Sequence, residues 1–233
     1  MVNLSEKSDS KTGFLHLSDL IKVHKEEPIF TTPDDDADEI SRQMEKQIEA
    51  DKGVAFDLRL GSQYYLSGES YPDKLKKGDY LNIEPGQFAL LTTYEKFDMP
   101  VDLVAFISMR FSIKAKGLIN VSGFQVDPGY RGVFIFSVYN AGPTIVPLKY
   151  KKEIFNIIFS KTSQKISEKR IPVNEIPVEK WSWLMQRKNV SLIGMNERIS
   201  ELEKSYERVK YLIPILIGSI AIVATILGLI FRQ

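Results

Sequence analysis

Between Val54 and Phe159 the apolar residues fall into short runs: FDLRL (56–60), FALLTTY (88–94), LVAFISM (103–109), LINVSGF (118–124), GVFIFSVYN (132–140) and EIFNIIF (153–159). Each is rich in β-branched and aromatic residues and is followed by turn formers, among them Glu84-Pro85-Gly86 and Asp127-Pro128-Gly129. Runs of this length broken by such turns predict strands. No Gly-rich phosphate loop opens a helix, so the parallel nucleotide-binding folds are set aside in favour of a compact antiparallel barrel or sandwich. Beyond the strands the pattern changes twice. Leu192, Met195, Ile199, Leu202, Tyr206, Val209 and Ile213 recur at alternating spacings of three and four, an a/d seam with Glu197, Arg198, Glu201, Glu203, Lys204, Glu207 and Arg208 on the other faces. This predicts a helix, read as a short parallel coiled-coil stalk over 191–210. Tyr211 to Phe231 then contains no charged residue. About 20 apolar residues cross a hydrocarbon core about 30 Å thick, which predicts one transmembrane helix over 211–231.

The pattern divides the chain into an N-terminal helical and acidic segment (1–50) packing on a head, the β-rich head (51–163), a connector (164–190), the stalk and the anchor. Pro172 and Pro177 suit an extended connector, with Trp181 and Trp183 as packing anchors. Lys204, Arg208 and Lys210 precede the anchor and only Arg232 and Gln233 follow it. The expected protein is therefore tail-anchored and single-pass, with its head on the cytoplasmic side by the positive-inside bias.

Composition adds exclusions. The 233 residues carry 31 Lys+Arg against 30 Asp+Glu, and that near-neutrality is a cancellation: 1–50 hold 6 basic and 12 acidic residues, 51–163 hold 14 and 11, and 164–210 hold 10 and 7. So small a basic surplus argues against a nucleic-acid partner. The chain has no Cys, which removes disulfides, thiolate metal sites and a cysteine nucleophile. Its two His, His16 and His24, leave too few imidazoles for a His-rich metal centre. The acidic block at Asp34, Asp35, Asp36, Asp38 and Glu39 lacks the spacing and central Gly of a calcium loop and reads as a solvated helix start, so no metal site is assigned.

Four strings carry a resemblance: GVAFDLRLGS (53–62), EPGQFALLTTYEKFDMPVDLVAFISMRFSIKAKGL (84–118), VDPGYRGVFIFSVYN (126–140) and EIFNIIF (153–159). In this order and spacing, over about half the chain, the sequence resembles the dCTP deaminase and dUTP diphosphatase (dUTPase) family. LeuSerAspLeuIle (17–21) is similar to the N-terminal helix of the deaminases. The resemblance implies a mainly β fold, a dUTPase-like distorted antiparallel barrel, assembled as a homotrimer with nucleotide sites between subunits.

It also implies roles, and here the chain departs from the pattern. Where deaminases have Arg-Ser-Ser-x-x-Arg, this chain reads Arg110-Phe111-Ser112-Ile113-Lys114-Ala115, with Lys114 or Lys116 as substitute cations. The water-activating Glu of the deaminases falls on Ser137, and a hydroxyl without a base takes no proton from water near neutral pH. On the dUTPase reading, Asp127 would orient the attacking water, Tyr130 would pack under the sugar, and Asn156 stands where a Gln is usual. The Gly-rich arm that closes over the base is absent. Arg110, Ser112, Lys114, Asp127, Tyr130 and Asn156 are therefore the nucleotide-binding candidates; Asp127 is catalytic only on the dUTPase reading. Asp57, Arg110 and Asp127 each also have a structural reading, as a cap or ion pair, an interface ion pair and a turn residue. No cofactor is assigned, and Mg2+ enters only as the companion of a bound nucleoside triphosphate. Three outcomes stay open: a membrane-anchored nucleotide sensor lacking standard deaminase activity, an active dCTP deaminase or dUTP diphosphatase tethered to a membrane, and a structural trimeric membrane scaffold.

Overall fold

The computed structural model describes residues 13–33, 37–178 and 192–230. Asp34 to Asp36, Trp181 and Trp183 lie outside the described residues. The chain forms two compact units, residues 1–189 and 190–233.

The first unit is built on strands β1 (Gly13–Phe14), β2 (Phe30–Thr31), β3 (Phe56–Leu66), β4 (Asp73–Lys74), β5 (Tyr80–Ile83), β6 (Phe88–Asp98), β7 (Leu103–Met109), β8 (Leu118–Asn120), β9 (Gln125–Val126), β10 (Arg131–Asn140), β11 (Val146–Lys149) and β12 (Glu153–Lys161). Helices α1 (Leu17–Glu26), α2 (Ala37–Glu49) and α3 (Phe111–Lys114) complete it. The main sheet runs β8-β10-β6-β3-β12-β7-β9, with β1, β2 and β4 added beside it, and its pairings are antiparallel. β8 and β9 stand at opposite ends of this order, yet only residues 121–124 join them. A chain that short spans roughly 17 Å, so the sheet must curl until its two edges approach. β5 and β11 form a separate two-stranded sheet whose Leu81, Ile83, Val146 and Leu148 are buried.

The curl encloses an aromatic core. Phe97 stacks on Phe134 at 3.9 Å between centroids, Phe136 on Phe155 at 4.0 Å, and Phe30 touches Phe56, Phe97 and Phe159. The N-terminal helices contribute to the same core, with Leu17, Leu20, Ile40 and Met44 fully buried in it. Both histidines serve here: His16 Nδ1 accepts the Ser18 N–H at the start of α1, and buried His24 accepts the Ile29 N–H at 3.1 Å and packs on Phe30. The same region holds a buried ion pair. Arg59 donates from Nε to Glu95 at 2.7 Å and from its backbone N–H at 3.0 Å, and also pairs with Glu39 of α2. Complete burial holds Glu95 above the ordinary carboxylate range, an effect that Arg59 only partly offsets.

Residues 162–178 do not leave the head as free connector. Val173 pairs with the β10 start: Val133 N–H donates to its carbonyl at 2.8 Å and its own N–H donates to Arg131 at 2.9 Å. Three residues on, Ile176 is buried against Tyr65 and Leu90, beside Ile135 and Phe88. The segment is a strap across the outer face of β3, β6 and β10.

The second unit is one helix, α4 (Leu192–Ile230), which continues through Pro214. The seam residues Met195, Ile199, Leu202, Tyr206, Val209 and Ile213 are exposed, as are Leu212, Ile215, Leu216, Ile217, Ile220, Ile222, Val223 and Leu227. Among the described residues no helix is long and apolar enough to cross a membrane. The membrane crossing expected over 211–231 finds no support in this; what the structure shows is the helix, which runs on to Ile230.

Candidate functional site

The predicted residues fall in three places. At the first, β7 ends and α3 begins. Arg110 Nη1 donates to Asp57 Oδ2 at 3.1 Å and to Glu153 Oε2 at 2.6 Å. Asp57 is buried, and its position is over-determined: Lys52 pairs with its carboxylate, its N–H donates to Gln47 of α2, and its carbonyl accepts from Gln43. A buried carboxylate left without its cations would be costly, so Arg110 is part of the frame here. Asn156 lies directly between Asp57 on β3 and Ser108 on β7. Lys114 turns back to Ser108, donating to its Oγ at 3.0 Å, while Ser112 and Phe111 are exposed, the latter at 83%.

A cavity of about 620 Å3 opens beside this cluster. Arg110 and Ser112 line it, together with Lys116 and residues that reasoning by motif did not single out: Tyr80, Lys149, Lys152 and Glu153. Their signal in the sequence is the run Lys149-Tyr150-Lys151-Lys152 between two apolar strands.

The second place is the turn Asp127-Pro128-Gly129-Tyr130. Pro128 fixes φ at the second position and Gly129 supplies φ +67 at the third, as a type II turn requires. Both carboxylate oxygens of Asp127 are engaged: Oδ1 accepts from Gln125 Nε2 at 3.0 Å and Oδ2 from Arg170 Nη2 at 2.8 Å. Arg170 belongs to the strap, and its N–H donates to Gly129. Tyr130 points into its own head, giving its hydroxyl to the Val133 carbonyl at 2.6 Å and packing on Phe134; burial pushes that hydroxyl up to about 12. Val126 pairs with Ala105, five positions before Arg110, so this turn lies roughly 17 Å along the strand from the first cluster.

Ser137 is the third place. Phe134, Phe136 and Val138 face the core, which puts Ser137 on the outer face of β10, opposite Leu90 and with its carbonyl accepting the Val121 N–H. Among the described residues no acid or imidazole hydrogen-bonds its hydroxyl. Among the described residues there is also no group of three His, Asp or Glu side chains fit to hold a metal.

The head is a curled antiparallel β fold with a strand-end arginine, an Asp-Pro-Gly-Tyr turn and a half-buried Ser137 on β10. The dCTP deaminase-like family model matches residues 35–162, and the chain belongs to that family. Similar proteins include the dCTP deaminase of Shewanella baltica, 28% identical over 144 residues that make up 52% of this chain and 75% of the relative. The dCTP deaminase of Pyrococcus abyssi is 33% identical over 106 residues, 46% of this chain and 67% of that one. Among solved structures, the 2'-deoxycytidine 5'-triphosphate deaminase of Agrobacterium tumefaciens superposes with a TM-score of 0.50 at 16% identity. That likeness is one of fold, spanning 65% of this chain and 49% of the other.

Proposed function

We propose that this chain is a membrane-anchored nucleotide-binding member of its family that has lost standard deaminase chemistry and acts as a sensor or regulator. The observation that carries the loss is Ser137. The resemblance puts the family's water-activating Glu at this position, and among the described residues the hydroxyl has no base at hydrogen-bonding distance. Metal-free attack of water on a cytosine ring needs such a base. The Asp127 alternative, water orientation for phosphate cleavage, is opposed by Arg170 and Gln125, which occupy its carboxylate.

The Arg110 cluster and its cavity are the nucleotide end of the site; Mg2+ would arrive only with a triphosphate. A ligand that touched both Arg110 and the Asp127 turn would have to bridge roughly 17 Å within one chain, which favours a site completed by a second copy and hence a homotrimer. Exposed Phe14, Phe111 and Phe124 supply apolar area for such contact. The proposed stalk uses the seam of α4. The membrane reading rests on residues 211–231 being free of charge and on the exposed aliphatic side chains of α4, and puts the head on the cytoplasmic side.

The test is thermal denaturation of the full chain in detergent with deoxy- and ribonucleotides, alongside assays for ammonia and pyrophosphate release. A shift with nucleotide and no turnover is the expected result. No shift with any nucleotide overturns the binding, and turnover abolished by Asp127→Asn overturns the loss of catalysis. Extraction from membranes by alkaline carbonate overturns the anchor, and a monomeric mass in detergent overturns the trimer.

A further inference from the structure

The cavity beside Arg110 is lined by more cations than the family pattern supplies. Arg110 and Glu153 form an ion pair at 2.6 Å and nearly cancel, whereas among the described residues Lys116, Lys149 and Lys152 have no carboxylate partner. Some lysines elsewhere on the head are neutralised, Lys22 by Asp19, Lys25 by Glu45, Lys165 by Asp102, and Lys169 by Glu27 and Asp98; what sets Lys116, Lys149 and Lys152 apart is that all three line one cavity. Three uncompensated cations around one concavity repel one another, and an anion relieves that repulsion.

The turn joining β11 to β12 is held in place. Lys151 adopts φ +60, an uncommon conformation for a side-chain-bearing residue, and is turned to the other side, where its Nζ donates to the Tyr94 hydroxyl at 2.6 Å and lies 4.1 Å from that ring's centre. Its backbone N–H donates to Leu60, whose own N–H donates to the Lys152 carbonyl. With Lys151 anchored away, its neighbours Lys149 and Lys152 remain at the cavity, Lys149 5.7 Å from the centre of the Tyr80 ring. The backbone is thus ordered before any ligand arrives, which lowers the ordering cost of binding.

We propose that Lys149 and Lys152, with Lys116, form a phosphate-chain subsite that makes this cavity select a triphosphate over a monophosphate. The inference rests on the nucleotide-binding reading above and names residues outside the motif that suggested it. A volume of about 620 Å3 suits a small ligand, and a chain of phosphates carries enough charge to meet three ammonium groups.

The experiment is isothermal titration of the full chain in a neutral detergent with inorganic tripolyphosphate, dCTP and dCMP. The variants are Lys149→Ala/Lys152→Ala, Lys149→Arg/Lys152→Arg, and Lys165→Ala as a control. Tripolyphosphate and dCTP should both bind the unaltered protein, dCTP more tightly than dCMP. The double alanine variant should weaken tripolyphosphate and dCTP by about tenfold or more while dCMP changes little, the scale of losing charge-assisted hydrogen bonds. The arginine variant should recover most of the loss, and Lys165→Ala should change nothing. An unaltered melting transition confirms that each variant is folded.

Equal dCTP affinity in the unaltered and double alanine proteins overturns the subsite and leaves the nucleotide reading standing. So does dCTP binding without any tripolyphosphate binding. Lysine-dependent tripolyphosphate binding without nucleotide binding supports the polyanion subsite and defeats the nucleotide reading. Binding of neither defeats both.

Discussion

Gly132→Ala should release the strap from the head. Gly132 holds φ +107, outside the comfortable range of any residue with a side chain, and a Cβ there would stand 1.9 Å from the Val173 carbonyl oxygen, 2.5 Å from its carbon and 2.7 Å from its nitrogen. All three are backbone atoms, so no rotamer change makes room. The chain can keep the strap in place with a severe clash, or lift it. Lifting breaks the two hydrogen bonds between Val173 and the β10 start, each worth about 1 kcal/mol net. It also frees Ile176, 1% exposed, whose burial contributes about 2 kcal/mol, and the strain at φ +107 adds about 1 to 2 kcal/mol. The total, about 5 kcal/mol, is a large part of an ordinary domain's stability. Hydrogen exchange on the full chain should show lost protection at Val133 and Val173 while the β3–β12 pairing stays protected, together with a lowered denaturant midpoint. Ile176→Ala should lose about 2 to 4 kcal/mol yet keep those two amides protected. If Gly132→Ala leaves the Val133 and Val173 amides protected and the midpoint unchanged, the strap is not held as described and the reasoning fails.

The remaining predictions concern charge and the site. Tyr130 ionises at about 12 when folded against about 10 unfolded, so it has no effect below pH 10; above it the unfolded chain loses its proton first, and stability falls by up to about 2 kcal/mol as pH rises toward 12. Denaturation of Tyr130→Phe alongside the unaltered protein should show a shallower decline over that window, and parallel curves would refute the assignment. Glu95→Ala leaves the largely buried Arg59 with Glu39 as its one carboxylate and should cost about 3 kcal/mol, read from urea midpoints; a loss below about 1 kcal/mol would mean that Glu39 or water compensates the guanidinium. Asn140 is fully buried and bonds Ile83, Thr144 and Gly142, so Asn140→Leu should cost about 2 to 3 kcal/mol in the same assay. Ser137→Glu should introduce measurable ammonia release from dCTP if a missing base is all that blocks the reaction; nucleotide binding with no turnover would show that site geometry is lacking too.

The strands were legible where they are long. β3, β6, β7, β10 and β12 carry enough consecutive buried positions to impose a pattern, and all coincide with apolar runs in the sequence. β5 and β11 were not legible, because four residues offer only one alternating pair each and Pro147 in β11 argues against a strand when read alone. The strap was masked for a related reason. Pro172 and Pro177 mark extended chain correctly, but nothing local separates Ile171, 88% exposed, from Ile176, 1% exposed; the outer face of β6 decides that. The site was legible as residue types and not as neighbours. Asp57 and Arg110 stand 53 residues apart, and their contact exists because β12 lies between β3 and β7. Lys149 and Lys152 escaped notice because a motif carried over position by position cannot point to a turn between motifs.

That difference bears on what the retained arginine can do. Arg110 is flanked by two carboxylates, Asp57 and Glu153, both bonded to the same nitrogen, Nη1. Counted with Lys52, the four groups carry no net charge, and an incoming polyphosphate meets no attraction from them at range. A phosphate that displaced Glu153 could still take Arg110, but only by giving up an ion pair already formed. The attraction must come from cations that are not yet spoken for, and around this cavity those are lysines on α3's exit and on the β11–β12 turn. The motif arginine fixes Asp57 and through it α2 against the sheet, and on the proposed reading recognition of charge falls to the lysines at the rim.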